Sequence, residues 1–142
     1  MSDTAPGAKA PALFWIVTGL SLLWNGFGAC DYAMTKLHNA WWLSSMAVDP
    51  AMIAKVDAAP VWGTFGWAVG VWGSLLGAVL MLLRSRHAAS AYLASLIGAA
   101  VGFSWQIKAG LFPGPAFPAV ILAVIIALWW YCRRCTASGI LK

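Results

Sequence analysis

Apolar residues gather into four continuous runs, at residues 13–34, 61–83, 88–107 and 116–132, separated by one long segment and two short polar or proline-bearing connections. Each run is close to the roughly 20 mostly apolar residues a helix needs to cross the hydrocarbon core of a bilayer. Lipid-facing strands of a β-barrel would alternate over about ten residues, and these runs do not alternate. Helices are therefore predicted, since in lipid the backbone must satisfy its own hydrogen bonds. The last run is short, but Pro118 suits a first helical turn, where a missing N–H costs nothing. That helix can also lengthen past Arg133 by snorkelling. The first run is too long for the apolar region of a signal peptide. It also lacks a strongly basic leader and a small-residue cleavage site, so it is read as a retained span. The expected fold class is all-α integral membrane, with residues 1–142 forming one four-helix transmembrane domain.

An even number of spans puts both chain ends on one side of the membrane. Lys9, Arg84, Arg86, Arg133, Arg134 and Lys142 then face Lys36, Lys55 and Lys108 across the bilayer, and the excess of bases predicts cytoplasmic termini. Residues 85–87 make a tight inner turn. The outer segment 35–60 has room for structure of its own. Asp49 followed by Pro50 is a cap and first-residue signal, predicting a short helix to about Ala58, ending before Pro60. Met52, Ile53 and Val56 share one face of it, which places it on the outer surface of the bundle or membrane. The third connection, Leu111 to Pro118, is stiffened by its prolines and is non-helical.

Two rows of small residues mark helix-packing faces. Gly63, Gly66, Gly70, Gly73 and Gly77 recur at steps of three and four in the second span, and Ser90, Ala94, Gly98 and Gly102 lie four apart in the third. Such rows let helix backbones approach closely, which is what drives association in lipid. They serve packing inside the chain or an interface with a partner or a second copy. The first span carries a polar stripe, Thr18, Ser21, Asn25, Gly28, Tyr32 and Thr35, at helical spacing and with Asp31 beside it. It is expected to face the bundle interior. At 1.5 Å per residue, Asn25 falls near the midplane and Asp31 roughly 11 Å outward, within a half-core of about 15 Å. Gln106 and Lys108 of the third span fall at about 13 and 16 Å on the same side. Asn25, Asp31, Gln106 and Lys108 are thus the candidate polar cluster, with contact from Asp31 to Lys108 or Gln106 within reach. The alternative is that Asp31 and Lys36 only anchor helix ends at the interface.

Of the ten tryptophans, Trp15, Trp41, Trp42, Trp62, Trp105, Trp129 and Trp130 fall near span ends and read as interfacial anchors. Trp24, Trp67 and Trp72 lie deeper. Trp72 is at nearly the depth of Asn25, where an indole N–H to amide bond would lock the first two helices together.

Composition adds exclusions. The 142 residues are 62% hydrophobic and only 9% charged, against roughly 25% charged in soluble domains, and mean hydropathy is +0.80. The ionisable groups include four Asp and no Glu, which disfavours hydrolytic and metal-based chemistry. No catalytic residue, metal or cofactor is expected. No phosphate loop, nucleophile elbow or zinc spacing occurs, and His38 and His87 lie on opposite sides. Cys132-Arg-Arg-Cys135 has the gap of redox and metal motifs, but it stands alone at an inner helix end, where the cytoplasm keeps thiols reduced. The net charge of +5 resolves into six bases and Asp3 inside, and three bases and three Asp outside. It orients the chain in the membrane and calls for no nucleic acid.

Residues 23–35 (Leu-Trp-Asn-Gly-Phe-Gly-Ala-Cys-Asp-Tyr-Ala-Met-Thr), Gly70 to Gly77, and Leu83-Arg84-Ser85-Arg86-His87-Ala88 resemble a family of small four-span bacterial inner-membrane proteins, mostly uncharacterised and sometimes loosely labelled sugar transporter. The resemblance spans residues 13–107 and implies an inner-membrane location. Small multidrug transporters are similar in size but carry a first-span Glu that is absent here. The reading from sequence is a non-enzymatic accessory subunit packing against other membrane subunits or itself in the lipid bilayer. The alternative is a homo-oligomeric transporter of a small, sugar-like solute through the Asn25, Asp31, Gln106 and Lys108 cluster.

Overall fold

The computed structural model describes residues 8–142. Its elements are α1 (Ala12–Lys36), α2 (Ala40–Ser45), α3 (Pro50–Asp57), α4 (Val61–Leu82), α5 (Ala88–Lys108) and α6 (Ala116–Ala137), with no strand among the described residues. α1, α4, α5 and α6 are long and apolar enough to cross a membrane. They alternate in direction. One end of the bundle gathers residue 8, the α4–α5 turn and the residues after α6; the other gathers α2, α3 and the α5–α6 connection.

Helix α6 runs to Ala137, past the Cys132 limit expected from hydropathy. The extension is possible because its two arginines are not left bare: the Arg133 guanidinium lies 5.4 Å from the Trp129 ring centre and that of Arg134 lies 4.9 Å from Trp130. Stacked guanidinium and indole form a cation–π pair while the charge reaches outward. Five of the six helices stop on a residue with positive φ, namely His38, Ala47, Arg84, Gly110 and Gly139. At each, two amides turn back onto carbonyls of the final turn, as in Arg84 N–H to Met81 O and Ser85 N–H to Leu80 O, both at 2.8 Å. This motif satisfies carbonyls that the helix leaves unpaired. Glycine adopts it without strain at two of the ends; the other three carry a side chain there.

The closest helix pair is α4 with α5, and glycine is the reason. A Cβ placed at Gly66 would lie 2.8 Å from the Gly102 nitrogen, one at Gly102 would lie 2.7 Å from the Trp67 nitrogen, and one at Gly98 would lie 2.8 Å from the Gly70 nitrogen. The two backbones are in contact. Ser95 Oγ spans the gap, donating a 2.6 Å hydrogen bond to the Gly70 carbonyl. Further along, Gly63 makes room for Trp105, Gly73 for Ser95 and Gly77 for Tyr92. The second-span glycine row is thus occupied from within the chain, leaving no room for a partner helix. The third-span row divides. Gly98 and Gly102 meet α4, but Ser90 and Ala94 are exposed, because a strict four-residue step drifts by about 40° per repeat around a 3.6-residue helix. Tyr92, Ser95 and Ala99 continue the buried face instead.

The turn end is closed by a core of Phe14 from α1, Met81 from α4, Tyr92 from α5, Cys132 and Cys135 from α6, and Leu141. Arg84 ties this end together. Its Nε donates to the Ile140 carbonyl at 2.9 Å and a terminal nitrogen donates to the Ala8 carbonyl at 2.7 Å. The Lys142 amide bonds to Arg84 O at 2.8 Å and the Arg86 amide to Lys142 O at 2.9 Å. Residues counted in the sequence as orientation charges are therefore also structural fasteners.

Candidate binding cavity

Away from that core the helices part around a cavity of about 470 Å³, within the few-hundred to 1,000 Å³ typical of small-molecule sites. α1 supplies polar lining through Asn25, Asp31 and Thr35, and its polar stripe continues away from the cavity. Thr18, Ser21 and Asn25 are all buried. Thr18 and Asn25 turn hydrogens back onto α1 itself, to Phe14 O and Ser21 O, each at 2.8 Å. The Asn25 amide oxygen is left for other use, about one helical turn from Gly28 along α1. The buried hydroxyls of Ser21 and Tyr92 make no hydrogen bond to a described residue.

Asn25, Asp31 and Gln106 all line this cavity. Gln106, from α5, is 6% exposed, and its amide makes no hydrogen bond to a described residue. Lys108 does not join them: it is exposed on the far side of the helix end, two positions and about 200° around from Gln106. The expected Asp31–Lys108 contact does not form. Asp31 instead accepts a 2.8 Å hydrogen bond from the Trp42 indole Nε1.

That bond depends on α2, a helix hydropathy did not predict. Asn39 caps it, its Oδ1 accepting from the Trp42 backbone N–H at 2.9 Å, which satisfies one of the free amides of the first turn. The cap fixes Trp42 over α1, where its ring also lies 5.8 Å from that of Phe27. Trp42, expected as an interfacial anchor, is thus a ligand of the cavity carboxylate. Asp49 caps α3 as its sequence indicates, accepting from Ala51 N–H at 2.8 Å. Met52, Ile53 and Val56 share one face of that helix, and all three line the cavity. Between these helices and α1, His38 Nε2 meets Asp57 Oδ1 at 3.0 Å. α3 thus covers the cavity, and α2 joins this cover through the Trp42–Asp31 bond at its edge. Trp42→Phe keeps the ring but removes its N–H. It is expected to speed backbone hydrogen exchange across residues 38–48, read by mass spectrometry, with α4 and α5 unchanged.

The remaining tryptophans sort by neighbour. Trp15, Trp41, Trp62 and Trp130 are exposed, Trp129 is half-buried against the turn-end core, and Trp105 is 8% exposed. Trp105 departs from the anchor reading because Gly63 leaves a hollow that its indole fills. The Trp72–Asn25 bond is also absent. Trp72 lies on the outward face of α4, half-exposed, with its ring 6.1 Å from that of Tyr32, while Trp67 meets the same Tyr32 ring at 4.6 Å. Cys132 and Cys135 are unbonded thiols inside the core, so the paired-cysteine motif presents no accessible sulfur. No cluster of His, Cys, Asp or Glu suited to a metal occurs among the described residues.

Aromatic and aliphatic side chains complete the lining: Trp24, Phe27 and Trp67 on one flank, Phe103, Phe112 and Phe117 on the other. Comparison with protein-family models, curated proteins and solved structures found no match to this chain.

Proposed function

We propose that the chain is a multi-pass protein of the bacterial inner membrane, with both termini cytoplasmic, that binds a small solute in this cavity and moves it across the bilayer. The observation that carries this is the convergence of Asn25, Asp31 and Gln106, from two helices, on one mostly apolar cavity. Polar groups within spans are costly and are kept where they serve a pathway. With the termini inside, the positive-inside pattern turns the α2–α3 cover outward and the closed core inward, the arrangement of a carrier whose site lies toward the outer face beneath a cover. The resemblance to small four-span bacterial membrane proteins belongs to this proposal, as does action as a homo-oligomer.

Binding to the folded state raises its stability, so a melting-temperature screen of sugars, amines and organic cations against the solubilised protein is the first test, followed by uptake into proteoliposomes. Gly28→Phe is the decisive variant. Gly28 lines the cavity, and a Cβ there meets nothing within 4 Å, so the ring fills the space without disturbing α4 or α5. The variant is expected to fold normally and lose both the ligand-induced shift and uptake; full retention of both removes the cavity from the function.

The accessory-subunit reading keeps one supporting observation. α6 buries the least of the four long helices, leaving Phe117, Val120, Ile126 and Trp130 exposed. Mass measurement of the gently solubilised particle separates the two: other chains in fixed ratio favour the subunit, a self-only particle the carrier.

A further inference from the structure

Resting on the cavity-binding reading above, we propose that the occupant is an organic cation with an apolar body, held by the Asp31 carboxylate. Asp31 is the one charged residue among those lining the cavity. Its hydrogen bond comes from a neutral indole, and it forms no salt bridge among the described residues, where the one ion pair is His38 with Asp57. A carboxylate at a membrane-embedded site calls for a counter-charge, and the described residues supply none: Lys108 is exposed and neither Lys36 nor Lys55 lines the site. An anion is repelled by this arrangement, and a neutral solute leaves the charge uncompensated.

The rest of the lining selects among cations. Trp24, Phe27, Trp67 and Phe103 are in the lining, the aromatic residues that cation–π contact requires. Besides Asp31 the polar complement is small: the amides of Asn25 and Gln106 and the hydroxyls of Thr35 and Ser74, the last already donating to Val71 O. A polyhydroxylated solute would bury many hydroxyls with few partners, each left unsatisfied at a cost, so a sugar fits this lining poorly. A zwitterionic lipid headgroup fits poorly as well, because no base is present to meet its phosphate. At the cover end, Lys36, Lys55 and Lys108 are balanced by Asp31, Asp49 and Asp57, so no net positive field opposes entry.

Tetraphenylphosphonium and tetraphenylborate share shape and differ in sign, which isolates the charge. Each is titrated by calorimetry into the full chain in an uncharged detergent, with protein-free micelles as reference. The cation is expected to bind saturably and the borate not to. Asp31→Asn is expected to weaken the cation by about tenfold or more, and Asp31→Glu to restore most of its binding. Because the sign comparison is made on the unaltered protein, it stands even if Asp31→Asn fails to fold. Equal binding of the borate overturns the inference while leaving a ligand cavity in place, as does undiminished cation binding to folded Asp31→Asn. Displacement of the phosphonium by dihexanoylphosphatidylcholine at equal concentration assigns the site to a lipid headgroup and likewise overturns it. Saturable binding of neither ion overturns it as well; the cavity-binding reading falls with it only if the ligand screen is also empty.

Discussion

Gly66→Val and Gly102→Val are each expected to eliminate the monodisperse, folded particle in fluorescence-detected size exclusion. At both positions a Cβ meets backbone nitrogen at less than 3 Å, Gly102 N at 2.8 Å and Trp67 N at 2.7 Å respectively. Neither neighbour can swing aside as a flexible side chain would. Overpacking costs about 1–3 kcal/mol where a core can adjust, and here the adjustment is a separation of two whole helices. Separation also breaks the Ser95–Gly70 hydrogen bond. In lipid no hydrophobic drive brings the helices back, so their association depends on the close contact just lost. Gly19→Ala is the matched control. Nothing lies within 4 Å of a Cβ there, and alanine is the better helix former by about 1 kcal/mol, so its melting temperature is expected to hold or rise. Normal assembly of Gly66→Val would mean that the helices are not in backbone contact.

Arg84→Ala is expected to lower unfolding stability in detergent by about 2–3 kcal/mol, the scale of hydrogen bonds from a charged donor when one is partly buried and one exposed. The side chain bonds both to Ile140 O and to Ala8 O, so one substitution releases two chain segments from the α4–α5 turn. Leu141, 2% exposed, is held in the core partly by this attachment. Arg84→Gly separates side chain from backbone. It loses the same bonds, but the position has φ of +56°, where a side chain costs about 1–2 kcal/mol, so the glycine variant is expected to melt above the alanine variant. Arg84→Lys keeps charge but cannot reproduce the geometry of a planar fork, and is expected to behave like alanine. If lysine fully restores stability, charge alone is at work and the bonding account is wrong.

Features with a helical period or a covalent signature were legible in the sequence. The four long helices, the inward stripe of Thr18, Ser21 and Asn25, and the Asp49–Pro50 start of α3 follow from spacing and local chemistry. Features set by three-dimensional neighbours were not. Ser90 and Ala94 continue a numerical row but rotate away from α4, whereas Tyr92 and Ser95 fall on the contact face because alternating steps of three and four track it. Trp105 reads as an anchor by its position near a helix end, and only the hollow at Gly63 brings it inside. The cavity was half legible. Depth counting put Asp31 and Gln106 on one side of the membrane with Asn25 near the midplane, but depth says nothing of direction around a helix, which is why Lys108 was included. The bond from Trp42 to Asp31 needed α2, whose signal was available: Asn39 is a strong cap residue, followed by a short apolar run.

The glycine-faced contact also bears on how the cavity can change shape. Two backbones already touching can neither approach nor slide without collision, so α4 and α5 form an incompressible post, in the sense that packed interiors jump between arrangements and do not deform smoothly. The cavity has this post on one side only. Any breathing of its volume must therefore be carried by the lightly held pieces around it: a swing of α1, a tilt of α6, or a lifting of the α2–α3 cover.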